Sequence, residues 1–182
     1  NRCEHLFGHS QLILSFDCDT EDDIKVVSDV HSKLQDMGIT PVYAVPGELL
    51  KKGESVYRKI HESGSEFINH GGKSHTHFDT KKNRHASNFF YDQQTFDVLK
   101  EDIILCHATL QDVLGVTARG WITPHFGTFQ KIKHLNFLYT ILKQMCYKFS
   151  TSTCPDFGYK KGPIFKQQDI FEIPVTMLKF RM

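Results

Sequence analysis

Leu12-Ile13-Leu14-Ser15-Phe16-Asp17-Cys18-Asp19-Thr20-Glu21-Asp22-Asp23 is the stretch on which the fold turns. Leu12 to Phe16 is an apolar run of strand length. A helix start follows it. Thr20 suits an N-cap, and Glu21, Asp22 and Asp23 fill the first turn, where the helix dipole favours negative charge. Ile24, Val27, Val30, Leu34 and Met37 then share one helical face, and Gly38 closes the helix. The unit is strand, polar turn, helix.

The same unit recurs along the chain. Pro41 to Val45 reads as strand, Glu54 to Ser63 as a short helix stopped by Gly64, and Glu66 to Asn69 as strand. A polar stretch from His70 to about Asn88 is too long and too His-rich for a simple turn, so it is expected to be a functional loop. A long helix is predicted from about Gln93 to Leu114, with Phe96, Leu99, Ile103, Leu110 and Val113 as its core stripe. Val116 to Thr123 contains a strand, Ile132 to Cys146 a helix, and Tyr147 to Ser150 and Ile170 to Val175 further strands. Alternating strands and helices imply an α/β fold with a parallel sheet and right-handed crossovers. Active sites in such folds gather at the C-terminal ends of the strands.

Composition narrows the function classes. The chain has 182 residues, 40% of them hydrophobic, enough for one domain with a true core. The whole chain, 1–182, reads as that single domain. Its net charge is +1, which provides no broad field for a polyanion, so a dedicated nucleic-acid binder is not expected. No apolar run approaches the roughly 20 residues that span a bilayer. The five cysteines are odd in number and form no C-x-x-C pair, which argues against a disulfide framework or a cysteine zinc site. Reduced cysteines and the lack of a signal-peptide pattern point to the cytoplasm, although a start at Asn1 leaves room for a segment ahead of it. Oligomeric state is not legible.

Three polar clusters follow three predicted strands. In the first, Asp17 and Asp19 lie two residues apart, which in extended backbone points both side chains one way. They either cap the next helix or share a cation or proton between them. The second is Glu66-Phe67-Ile68-Asn69-His70-Gly71-Gly72-Lys73-Ser74-His75-Thr76-His77. Its three histidines can converge on one metal, or they line a solvated loop. The third is Arg119-Gly120-Trp121-Ile122-Thr123-Pro124-His125-Phe126-Gly127. It is either a turn exposing backbone N–H groups and aromatic surface, or an ordinary strand-to-helix turn with a core Trp. Together the clusters supply the converging groups a metal-hydrolase site requires.

These residues resemble the polysaccharide deacetylases with the NodB-homology domain, carbohydrate esterase family 4. Phe16-Asp17-Cys18-Asp19 is similar to that family's Phe-Asp-x-Asp form. Glu66-Phe67-Ile68-Asn69-His70 is similar to its Glu-Ile-Gly-Asn-His strand, with His75 as the second histidine one residue later than usual and His77 as the alternative. Pro124-His125-Phe126-Gly127 resembles the end of its Arg-x-Pro-Tyr-Gly motif, with Arg119 displaced upstream. Phe171-Glu172-Ile173-Pro174-Val175 resembles a late Glu-Ile-Pro strand. The resemblance implies a distorted (β/α) barrel that removes acetyl groups from N-acetylated sugars. It implies Asp17 as general base, Asp19, His70 and His75 as metal ligands, and Phe126 N–H as oxyanion donor. Arg119, Trp121, Pro124 and His125 are expected at the substrate.

The implied cofactor is a divalent metal, zinc first, with cobalt, manganese or nickel as alternatives. One carboxylate and two imidazoles with open positions form a catalytic ligand set, and water activated there would be the nucleophile. Cys18 should face away into the core. The family's late catalytic histidine has no match after His134, so the barrel is truncated at its C-terminus or the acid comes from elsewhere. Two alternatives follow: hydrolysis of another small amide or C–N bond, or a catalytically silent carbohydrate-binding member.

Overall fold

A computed structural model describes residues 13–175. Nine strands and six α-helices are assigned among them. β1 (Ser15–Asp17), β2 (Val42–Val45), β3 (Glu66–Asn69), β6 (Gly120–Ile122), β7 (Phe149–Thr151) and β9 (Ile170–Glu172) pair in parallel, in the order β1-β2-β3-β6-β7-β9. β8 (Phe165–Gln167) joins the far edge antiparallel to β9. β4 (Thr76–Asp79) and β5 (Arg84–Ser87) form a separate hairpin. The α/β class and the parallel sheet are as expected. The sheet runs from an edge at β1 to an edge at β8, and no β1–β8 pairing closes it into a barrel among the described residues.

Helices cover one face. They are α1 (Glu21–Asp36), α2 (Gly47–Lys52), α3 (Glu54–Glu62), α4 (Phe96–Leu114), α5 (Ile132–Gln144) and α6 (Pro155–Lys161). α1 starts where Thr20 predicts. The Thr20 hydroxyl accepts from Asp23 N, and the Asp23 carboxylate accepts from Thr20 N at 2.8 Å, a reciprocal capping box. It stops where Gly38 takes φ +72°, so that Gly38 N reaches Gln35 O and Ile39 N reaches Leu34 O. α4 ends likewise at Gly115.

The period-two alternation of the strands sorts the core. Tyr43, Phe67 and Trp121 face the helices and pack with Leu50, Leu99, Ile103, Leu110, Leu138 and Leu142 in one buried cluster. Ala44, Ile68 and Ile122 face the other way and form a smaller strip. Gly120 lies in that strip because a Cβ there would collide with the Phe149 ring and with Ile68.

Several expectations are corrected. β1 is a three-residue edge strand and is not fully buried; Leu12 lies outside the described residues. Only Val27 and His31 of α1 are buried, while Val30 and Met37 are exposed. Phe96 is exposed and stacks on Phe137 at 4.3 Å, leaving Cys106 to complete the α4 stripe. The stretch expected to be a loop after His70 contains the β4–β5 hairpin, whose turn needs Asn83 in the left-handed region at φ +47°. α2, α6 and β8 are too short to show a clear period. No described helix is long and apolar enough to cross a membrane.

Candidate metal centre

Three segments meet at the C-terminal ends of β1 and β3. Asp17 ends β1, and Cys18 extends the ladder by donating its N–H to Ala44 O at 2.9 Å. The alternation therefore turns Cys18 into the core and leaves Asp17 and Asp19 on the other side. Burial pushes the Cys18 thiol up to about 12, so it stays a neutral core group.

His70 follows β3 directly. Its side chain is 1% exposed, and Nδ1 lies 3.0 Å from Ile122 O at the end of β6. A carbonyl only accepts, so Nδ1 carries the proton and Nε2 keeps its lone pair. That Nε2 is buried with no hydrogen-bond partner. It faces Asp19 Oδ1 at 3.2 Å and Asp17 Oδ2 at 3.9 Å. His75 is held similarly. Its Nδ1 lies 3.4 Å from Lys73 O and its Nε2 2.9 Å from Asp19 Oδ1.

One ligand atom from each of Asp19, His70 and His75 lies within 4.8 Å of the others. The arrangement is frustrated without a cation. Either tautomer of neutral His75 sets a lone pair against a carbonyl or a carboxylate oxygen, and the His70 lone pair faces the same Asp19 and also Asp17. A proton or a metal ion must fill the gap. Burial drives the His75 pKa down, which disfavours the proton there. Burial opposes charge on His70 too, but the Asp17 and Asp19 carboxylates outweigh it and raise its pKa. Burial alone would raise Asp19; the two imidazoles beside it hold it well below the usual carboxylate range. Burial pushes the Asp17 carboxyl up, against the pull of His70, although 42% of its side chain meets solvent. The donor set, one carboxylate and two imidazoles with Nδ1–H bound to carbonyls, fits a divalent cation.

The surroundings sort the remaining candidates. His77 is exposed on β4, and it is His75 that lies with Asp19 and His70. Pro124 is buried. His125 is strained at φ +54°; its Nε2 lies 2.6 Å from Asn88 O, and its ring meets His75 edge-on at 5.2 Å. Phe126, in the same turn, is 39% exposed.

Two expected substrate contacts are not at the centre. Arg119 precedes β6 and is exposed at that strand's N-terminal end. In a parallel sheet this is the rim opposite the ligands. Trp121 is 0% exposed and donates Nε1–H to Thr123 Oγ1 at 2.9 Å, so its faces pack in the core. Sequence reading missed the backbone anchors, Ile122 O under His70 and the Thr76 hydroxyl donating to Asp19 O. Carbonyls carry no sequence signal. The Thr beside His75 does, but its partner is 57 residues away.

No family profile matches the chain, and no curated protein matches it in sequence. Solved structures do match in fold. A protein provisionally assigned as a polysaccharide deacetylase from Mycobacterium smegmatis superposes with a TM-score of 0.62 at 15% identity, over 90% of this chain and 58% of that one. A carbohydrate esterase family 4 pseudoenzyme from Bacillus anthracis gives 0.58 at 11%, over 79% and 43%. IcaB from Ammonifex degensii gives 0.56 at 16%, over 77% and 58%. The chain has the fold of the carbohydrate esterase family 4 polysaccharide deacetylases, and it spans roughly half the length of these structures.

Proposed function

We propose that the protein is a metal-dependent hydrolase that removes an acetyl group from an N-acetylated carbohydrate. The observation that carries this is the single Asp19 oxygen facing two buried imidazole nitrogens, at 3.2 and 2.9 Å, with Asp17 outside that set. Asp19, His70 and His75 would hold the cation, with zinc the first candidate. When bound, the cation would supply Lewis-acid polarisation of the acyl carbonyl and acidify water at the site. Asp17 would accept the proton of the attacking water. Its raised pKa makes it a stronger base than an ordinary carboxylate, and such a role is worth roughly 10²–10⁴ in rate. Phe126 N–H would donate to the developing oxyanion, and His125 and the exposed Phe126 ring would line the substrate's side of the turn.

The test is elemental analysis of the purified protein with an acetate-release screen on N-acetylhexosamine substrates, run beside Asp17→Asn and His70→Ala. Asp17→Asn should retain metal and lose turnover. His70→Ala should lose both. Metal retained in His70→Ala would sink the ligand assignment. Formate release in place of acetate would move the reading to another small amide.

A second reading has its own support. Among the described residues, the ionic contact of Asp17 is to His70, and Arg119 lies at the opposite rim. One structure of similar fold is described as a pseudoenzyme. A protein that binds metal and glycan but releases no acyl product would be this silent member.

A further inference from the structure

The segment between His70 and His75 must deliver the His75 ring to Asp19, and two acids hold it: Glu48 Oε2 accepts Ser74 N–H at 2.9 Å, and a buried acid lies beneath it. Asp102, on α4, is 2% exposed. Its Oδ1 accepts the Lys73 backbone N–H at 2.9 Å, and its Oδ2 accepts the Tyr91 hydroxyl at 2.5 Å. Both partners are neutral. A carboxylate buried on neutral donors is costly, so its presence asks for a reason beyond filling space. The carboxylate also fits closely under the segment. A Cβ on Gly71 would come within 2.6 Å of Asp102 Oδ2 and 2.8 Å of Tyr91 Oη, so glycine at φ +84° is what lets the backbone pass.

Lys73 links this acid to His75 through the two peptides that flank its Cα. Its N–H is bound by Asp102, and its C=O is the group that His75 Nδ1 faces at 3.4 Å. Asp102 thus fixes the peptide plane before the Lys73 Cα, Glu48 Oε2 fixes the plane after it by accepting Ser74 N–H at 2.9 Å, and together they set where the Lys73 C=O, and with it His75 Nε2, points. We propose that Asp102 is a positioning residue for the His75 ligand, acting through the Lys73 backbone that it holds together with Glu48, with the Tyr91 hydroxyl fixing the carboxylate's rotation. The inference rests on the reading of Asp19, His70 and His75 as a metal site.

The test is Co²⁺ titration of the full chain, following the visible ligand-field bands, with the melting temperature of the metal-free protein measured in parallel. Asp102→Leu keeps the branched shape and removes the acceptor. Its Co²⁺ affinity should fall about 10- to 100-fold, with altered bands, as expected for loss of a group that orients a ligand. Asp102→Asn should stay close to wild type, because its amide oxygen can accept Lys73 N–H while its N–H donates to Tyr91. Tyr91→Phe should weaken binding in the same direction as Asp102→Leu, but less. A purely structural Asp102 would lower the melting temperature of Asp102→Leu and leave Co²⁺ affinity and bands unchanged, which overturns the inference. If Asp102→Leu does not fold, Tyr91→Phe decides: wild-type affinity there overturns the inference as well. A wild-type chain that binds no Co²⁺ overturns the metal reading itself, and the inference with it.

Discussion

Asp19→Asn separates a metal centre from a merely polar cluster, because the two predict different effects on the metal-free and metal-loaded protein. In the wild type, Asp19 Oδ1 lies 2.9 Å from His75 Nε2 and 3.2 Å from His70 Nε2. An asparagine there brings an N–H that can donate to one of these lone pairs. The metal-free variant should therefore melt at the wild-type temperature or above. The loaded protein behaves oppositely. A ligand at 100 times its Kd stabilises by about 2.7 kcal/mol. An unfolding entropy of about 2.1 cal/mol/K per residue over 182 residues gives about 0.38 kcal/mol/K, so saturating metal should raise the wild-type melting temperature by about 7 °C. Loss of the only carboxylate in the set should remove most of that rise. The assay is thermal melting with and without Zn²⁺ or Co²⁺ at fixed protein concentration. A full metal-induced rise in Asp19→Asn, or no rise in the wild type, refutes the reasoning.

Glu172 offers a test of pH dependence away from the centre. It is fully buried, with Oε1 accepting Ser152 N, Thr153 N and the Thr153 hydroxyl, while Oε2 has no partner. Burial raises its pKa above 4.5, so the folded state holds the proton more tightly than the unfolded one. Its contribution is most favourable below 4.5 and is lost as pH rises through the raised value. Glu172→Gln keeps the acceptor without the charge, so its stability relative to wild type should improve as pH climbs; urea unfolding at several pH values checks the trend. Cys18 is buried with a thiol pushed up to about 12, whereas Cys146 is exposed. Mass spectrometry after brief iodoacetamide treatment at pH 8 should find Cys146 modified and Cys18 untouched. Arg119→Ala should leave metal content and acetate release at wild-type levels, since Arg119 lies at the rim opposite the ligands; a tenfold loss of activity would contradict that placement.

The most local features were the most legible. A capping box needs only Thr20 and Asp23, three residues apart, and a helix stop needs only a glycine free to adopt positive φ, as at Gly38. β3 is Glu66–Asn69, the bounds read from the sequence. Residue chemistry placed paired carboxylates and a group of histidines at strand ends, the family resemblance singled out Asp19 and His70 among them, and the two-residue alternation turned Cys18 inward.

Sequence by itself therefore determined the α/β class, the direction of the strands and the kinds of groups at their ends. Tertiary structure decided which of those groups meet. Asp19 and His75 are 56 residues apart, and sheet order brings them to 2.9 Å. The β4–β5 register leaves His77 in solvent, two residues beyond the buried His75. Trp121 and Arg119 are two residues apart, yet one is in the core and the other on the far rim. The physical reason is that propensity and capping act within a few residues, whereas convergence depends on how separate strands pair and where each one starts, which no short segment encodes.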